Sequence, residues 1–166
     1  MSIDPFSEEI ARAELYGLLA RLWLAPPDAA LLDEFRVAVT SAPQADSFLE
    51  APWQALVARM RAASVDSAAA EVGALFQGVG KPAGFPYASF FLAGFVNEKP
   101  LAQLRTDLAG LGLTRDPAML ETEDHVACLF EVMRYLIAGD DVEVSNLEQQ
   151  RRFFREIPRV FQQKSF

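Results

Sequence analysis

Apolar residues recur along this chain with the period of an α-helix almost from its first residues. From Ser7, with Glu8 and Glu9 in the first turn, Ile10, Leu15, Leu18, Leu19 and Leu22 trace one face, and Pro26-Pro27 end the run. Asp28 then stands where an N-cap belongs, before a second helix carrying Leu31, Leu32, Phe35 and Val39. A polar stretch through Pro43 leads to a third, with Phe48, Leu49, Trp53, Leu56, Val57 and Met60. A fourth is predicted from about Asp66, presenting Ala69, Val72, Leu75 and Phe76 and stopping at Gly78-Val79-Gly80-Lys81-Pro82.

The pattern then breaks. Gly84-Phe85-Pro86-Tyr87-Ala88-Ser89-Phe90-Phe91 is aromatic, interrupted by proline and without a clean period. Beyond the polar Asn97-Glu98-Lys99-Pro100, helical spacing returns at Leu101, Leu104, Leu108 and Leu111. The longest apolar face is Val126, Leu129, Phe130, Met133, Leu136 and Ile137, predicting a helix from 123 to about 138. The opposite face of that helix is short, so it should be buried on most sides. Ser145 and Glu148 have capping-box spacing for a last helix with Leu147, Phe153, Phe154 and Ile157, which Pro158 should kink or end. No segment alternates as a half-buried strand does, and no repeat or linker divides the chain. The expectation is one all-α domain over residues 1–166.

Composition narrows the function. Half of the 166 residues are hydrophobic, 13 of them Phe, enough for a real core. A formal charge of −8 leaves no basic stripe for phosphates, which argues against nucleic acid, and it favours a basic partner such as an arginine-containing peptide. The single cysteine, Cys128, excludes an internal disulfide and suits a reducing cytoplasm. No export signal is visible at the start, and no apolar stretch reaches membrane-spanning length. Arg151-Arg152 is a twin arginine, but it sits inside a helical pattern and is no leader.

The chemistry concentrates at Glu121-Thr122-Glu123-Asp124-His125, where three carboxylates and the only histidine precede the longest apolar helix. Acids suit the positive end of a helix, and Thr122 or Asp124 can cap it. A metal site lacks ligands: His125 and Cys128 share a face at i, i+3, but a catalytic zinc wants three and a structural one four. A phosphate loop at Gly80-Lys81 fails, with Pro82 in the place of Ser or Thr and Leu75 at the upstream glycine. Asp124 and His125 point about 100° apart on a helix and form no orienting pair, and Ser89 lacks a nucleophile elbow. The residues therefore point to a helical binding module, with the aromatic segment as a groove wall or as core and no catalytic chemistry. A small helical nucleotide-binding or hydrolytic regulator using Asp124 and His125 stands as the alternative. A purely structural helical subunit is a third reading, less suited to the high charge.

Four blocks, in order, resemble the TorD/DmsD/NarJ family of chaperones that mature molybdenum-containing redox enzymes. They are Tyr16-Gly17-Leu18-Leu19-Ala20-Arg21-Leu22-Trp23 with Pro26-Pro27-Asp28; Leu75-Phe76 with Pro86-Tyr87-Ala88-Ser89-Phe90-Phe91; the acidic block with Leu129, Met133 and Leu136; and Phe153-Phe154-Arg155-Glu156. The acidic block matches the family's Glu-Pro-x-Asp-His, with Thr122 in place of proline. Ile157 stands where the family often has histidine, and relatives continue into further helix past the position of Phe166. The resemblance implies a helical bundle of the TorD/DmsD type and no enzyme activity. It implies a cytoplasmic chaperone, needing no cofactor or metal, that binds the twin-arginine leader of an apo-molybdoenzyme of the DMSO-reductase type. The leader would be held back from export until the molybdenum cofactor is inserted. Leu75, Phe76, Tyr87 and Ser89 would belong to the groove, with Asp124 and His125 in the leader-binding loop. A shortened or missing terminal helix would expose apolar surface and favour a homodimer or exchange of helices between chains.

Overall fold

The computed structural model describes residues 5–37, 48–76, 84–94, 96 and 99–162, with backbone alone at 5–7, 91 and 156–162. Val39, Pro43, the predicted stop at 78–82 and the polar pair at 97–98 lie outside the described residues, as does the side chain of Ile157. Among the described residues there are eight helices and no strand: α1 Pro5–Leu24, α2 Ala29–Val37, α3 Glu50–Ala62, α4 Val65–Phe76, α5 Ala88–Ala93, α6 Lys99–Gly110, α7 Val126–Ala138 and α8 Leu147–Gln162. The all-α expectation holds. No helix among them is long and apolar enough to cross a membrane.

The chain packs as two compact units, one from 25–84 and the other from 1–24 with 85–166. In the smaller unit Asp28 caps α2 as its position predicts, its carboxylate accepting from the Leu31 amide at 2.8 Å. Leu31, Leu32 and Phe35 of α2 are buried, as are Val57 and Met60 of α3, and the Phe35 and Trp53 rings stand 6.4 Å apart. Arg61 of α3 donates to the Phe35 carbonyl at 2.9 Å, and Arg59 pairs with Glu71 of α4. Helix α4 keeps half of its expected inward face. Ala68 is buried and Val72 and Phe76 are half-buried, whereas Ala69 and Leu75 are exposed. Phe48 and Leu49 precede α3 rather than joining it, and both are exposed.

The larger unit is organised by α7, against which α1 and α8 pack, while α5 packs on α6 and α8. Leu129, Met133 and Leu136 of α7 join Ala88, Leu108 and Phe153 in one buried cluster. The tightest contact of α1 differs from its leucine face. Its most buried residues are Ala13 and Ala20, and Gly17 lies between them. A Cβ at Gly17 would come within 3.0 Å of Arg134 Cδ, so small residues let α1 approach α7 closely. Helix α6 ends with the Leu113 amide reaching back to the Leu108 carbonyl at 2.9 Å, which needs the left-handed turn that Gly112 supplies at φ 71°.

Helix α8 departs from the expected capping box. Asn146 caps it, accepting from the Gln149 amide at 3.0 Å, while the Ser145 hydroxyl donates to the Tyr135 carbonyl at the end of α7. The helix runs through Pro158 to Gln162, so the proline does not end it. Gln150 is buried with both ends of its amide used. Nε2 donates to the Leu136 carbonyl at 3.0 Å, and Oε1 accepts from Arg12 of α1 at 3.2 Å. A buried amide left half-bonded would be costly, so this contact fixes the register of three helices at once.

Candidate functional site

The acidic block does not begin α7 as the sequence suggests. The helix starts at Val126, three residues later than expected, and its N-cap is the histidine. His125 has extended backbone, its Nδ1 accepts from the Ala127 amide at 3.2 Å, and its carbonyl accepts from Leu129. The bond at Nδ1 needs a neutral ring with its proton on Nε2. Neither Thr122 nor Asp124 takes the cap.

Asp124 works across the chain instead. Pro86 disfavours helix at Phe85 and leaves 84–87 extended, so this strip can lie beside 124–126. The Ala88 amide donates to the Asp124 carbonyl at 2.9 Å and the Val126 amide to the Pro86 carbonyl at 2.8 Å, an isolated antiparallel bridge between Tyr87 and His125. That pairing brings the Asp124 carboxylate to the start of α5. Its Oδ2 accepts from the Ser89 amide at 3.0 Å and from the Ser89 hydroxyl at 2.5 Å, and its Oδ1 accepts from Thr122 Oγ1 at 2.6 Å. Asp124 is 1% exposed and Ser89 0%. The acid thus caps a helix other than the one it precedes. The two motif blocks singled out in the sequence meet at this point.

Around this pair stands a half-exposed shell. Tyr87 donates its hydroxyl to Glu121 Oε2, and its ring meets the His125 ring edge-on at 5.1 Å. Burial, then the bond to Glu121, holds the Tyr87 hydroxyl above its ordinary pKa, so it stays a donor. Glu123 accepts from Arg105 of α6 at 3.0 Å, which lowers its pKa, and Arg115 lies 3.9 Å from its other oxygen. Arg115 also donates to the carbonyls of Met119 and Glu121, drawing the loop in on itself. Cys128, one turn into α7, is pushed up to about 11 by burial and then by Glu121, Glu123 and Asp124, so it remains a thiol. Phe85 and Phe90 stack at 4.2 Å beside the bridge and are half-buried, so they neither fill the core nor stand free.

In the same unit a cleft of about 140 Å³ opens next to the Ser89–Asp124 junction. Leu92, Leu104, Leu111 and Phe153 line it, with Gln103, Asp107, Gln149 and Arg152 also on its walls. Leu75 and Phe76, the other expected groove residues, end α4 in the smaller unit, Leu75 exposed and Phe76 half-buried. Glu121, Arg105 and Arg115 escaped the sequence reading as partners. The arginines sit 6 and 16 residues before the block on faces with no distinguishing pattern, and only the folded loop pairs them. Among the described residues no three His, Cys, Asp or Glu side chains group as metal ligands. A hydrolytic role for Asp124 and His125 has little to work with, since both carboxylate oxygens and Nδ1 are already bonded within the protein.

Burial lowers the pKa of His125 against the opposing pull of Glu121 and Asp124. The unfolded chain therefore takes up a proton near pH 6.5, while the folded chain resists until lower pH. Urea stability should be level just above pH 7 and fall as the pH drops below about 6.5. His125→Asn keeps a good N-cap and should flatten that part of the profile. A fall of equal size in the variant would assign it to other groups.

Residues 42–164, well over half of the chain, match the family model described as nitrate reductase delta subunit. The match takes in both the Pro-aromatic-x-Ser block and the acidic block. No curated protein and no solved structure matches the chain. The chain belongs to the nitrate reductase delta subunit family, a family of molybdoenzyme maturation chaperones in the TorD/DmsD/NarJ group.

Proposed function

We propose that this chaperone binds the twin-arginine leader of an apo-molybdoenzyme of the DMSO-reductase type in the cytoplasm and delays its export until the cofactor is in place. The observation that carries the reading is the bridge between 86–88 and 124–126, which holds Tyr87 and Glu121 together half-exposed and sets Ala88 and Asp124 in the wall of a mostly apolar cleft. An arginine-rich peptide with an apolar stretch suits that combination, its guanidinium groups toward carboxylates and its apolar residues toward the cleft. Asp124 and Ser89 serve it as positioning residues, buried and bonded to each other, and His125 sets the start of α7 behind them.

Calorimetric titration with a synthetic twin-arginine leader tests the reading, with a twin-lysine version as the control. The leader should bind more tightly at low salt, and the lysine version should bind less well, lacking the bidentate fork. Asp124→Ala with His125→Ala should weaken binding at least roughly tenfold. Since those residues also hold the fold, Glu121→Gln is the surface variant, expected to lose several-fold in affinity with an unchanged circular dichroism spectrum. A wild-type chain indifferent to the leader would sink the proposal. Undiminished affinity in a folded double variant would remove the role given to the block.

A further inference from the structure

The ring of His125 is bonded in a way that only its neutral state allows. Nδ1 accepts from the Ala127 amide at 3.2 Å in the first turn of α7, so that nitrogen must be bare. A proton there would set N–H against N–H, at the helix end whose dipole already repels positive charge. The ring would have to leave the cap. Its backbone is the middle of the bridge, between the Asp124 carbonyl that takes the Ala88 amide and the Val126 amide that reaches Pro86. A residue that moves to free its ring therefore disturbs both bonds that join the two motif blocks.

The surroundings give a charged ring somewhere to go. Burial opposes a proton on His125, while Glu121 and then Asp124 attract one. Asp124 is occupied by Ser89 and Thr122, whereas Glu121 is half-exposed and accepts from the Tyr87 hydroxyl. The other groups near the ring do not compete for the proton: Tyr87 stays a donor, Cys128 stays a thiol, and Glu123 is paired with Arg105 of α6 and with Arg115. His125 is also the only histidine of the chain, the one side-chain type that ordinarily changes charge close to neutral pH. We infer that His125 is a proton-operated latch: the neutral ring holds the start of α7 and the bridge closed, and the charged ring swings to Glu121 and frees 86–88 from 124–126. The latch belongs to the fold alone. Its effect on a client rests on the leader reading, since a leader arginine and the imidazolium would claim the same Glu121 carboxylate. Leader and proton then exclude each other, and by linkage each weakens the other to the same degree.

Amide hydrogen exchange followed by NMR, from about pH 7.5 to about pH 5.5, tests the latch. Corrected for the intrinsic rate, protection of the Ala127 and Ala88 amides should fall below about pH 6.5, by up to about tenfold per pH unit. The amides of Met133 and Leu136 in the core of α7 should keep theirs. His125→Asn, whose side chain caps without titrating, should hold protection level over the same range. Glu121→Gln removes the carboxylate that receives the ring, and should move both the ring titration and the loss of protection to lower pH. Calorimetry with the twin-arginine leader should show affinity falling over this range in the wild type, by up to about tenfold per pH unit, and level in His125→Asn. Constant protection in the wild type overturns the latch, as does a fall that persists in His125→Asn or takes the α7 core with it. With the latch open at the lower pH, a leader bound equally well at both ends of the range overturns the exclusion. A leader that binds at neither end, with exchange as expected, supports the latch and removes the leader reading.

Discussion

Asp124→Ala should lower the stability of the chain by about 3–5 kcal/mol, as a fall in the urea midpoint at constant m. The change leaves the Ser89 amide and hydroxyl without their acceptor, in a place from which water is excluded. Each buried donor stranded in this way costs about 1–3 kcal/mol, and the Thr122 hydroxyl loses its acceptor as well. Ser89→Ala removes one donor with its need and should cost about 1 kcal/mol. The two together should cost clearly less than the sum, with a coupling of about 0.5–3 kcal/mol. Additive losses would mean that the two side chains do not act as a unit. Asp124→Asn should fall between, since its amide oxygen can still accept from Ser89 while its NH₂ cannot.

Leu136→Ala should cost about 2–5 kcal/mol, because the side chain is 0% exposed and sits among Leu129, Met133 and Phe153. The spread reflects how far the neighbours can collapse into the space. Leu147→Ala is the matched comparison, the same chemical change at an exposed position in the first turn of α8, and should stay within about 0.5 kcal/mol. Equal losses at the two positions would contradict the assignment of α7 as the centre of the core. Thermal unfolding with a shared baseline is sufficient to read the difference.

Most of the helices were legible because their apolar spacing is long and regular. The α7 face, the Asp28 cap and the leucines of α6 appear as the period predicts. What escaped was decided by tertiary contact. Ala13, Gly17 and Ala20 look unremarkable beside the leucines of α1, yet their small size is what lets α7 come close. The caps of α7 and α8 went to His125 and Asn146, because Asp124 and Ser145 found stronger demands elsewhere. Propensity ranks the residues able to cap a helix; it does not see a rival helix end approaching through space. The two halves of the site were recognisable as motifs. That they share one hydrogen-bonded junction depended on the extended strip before α5, which has no periodicity of its own.

The junction of Asp124 with Ser89 also bears on how the chain opens locally. Its partners are 35 residues apart, and closing a loop of that length costs about 3 kcal/mol before any contact inside it is made. Helix α7 lies beyond the loop and can pack on α1 and α8 without it. The junction can therefore open while α7 stays packed on α1 and α8. Amides of Ala88 and Val126 should exchange with solvent by opening of this clasp alone, well before the core of α7 gives way. The two motif blocks are thus held together by a clasp that can open and close while the helical core stays assembled.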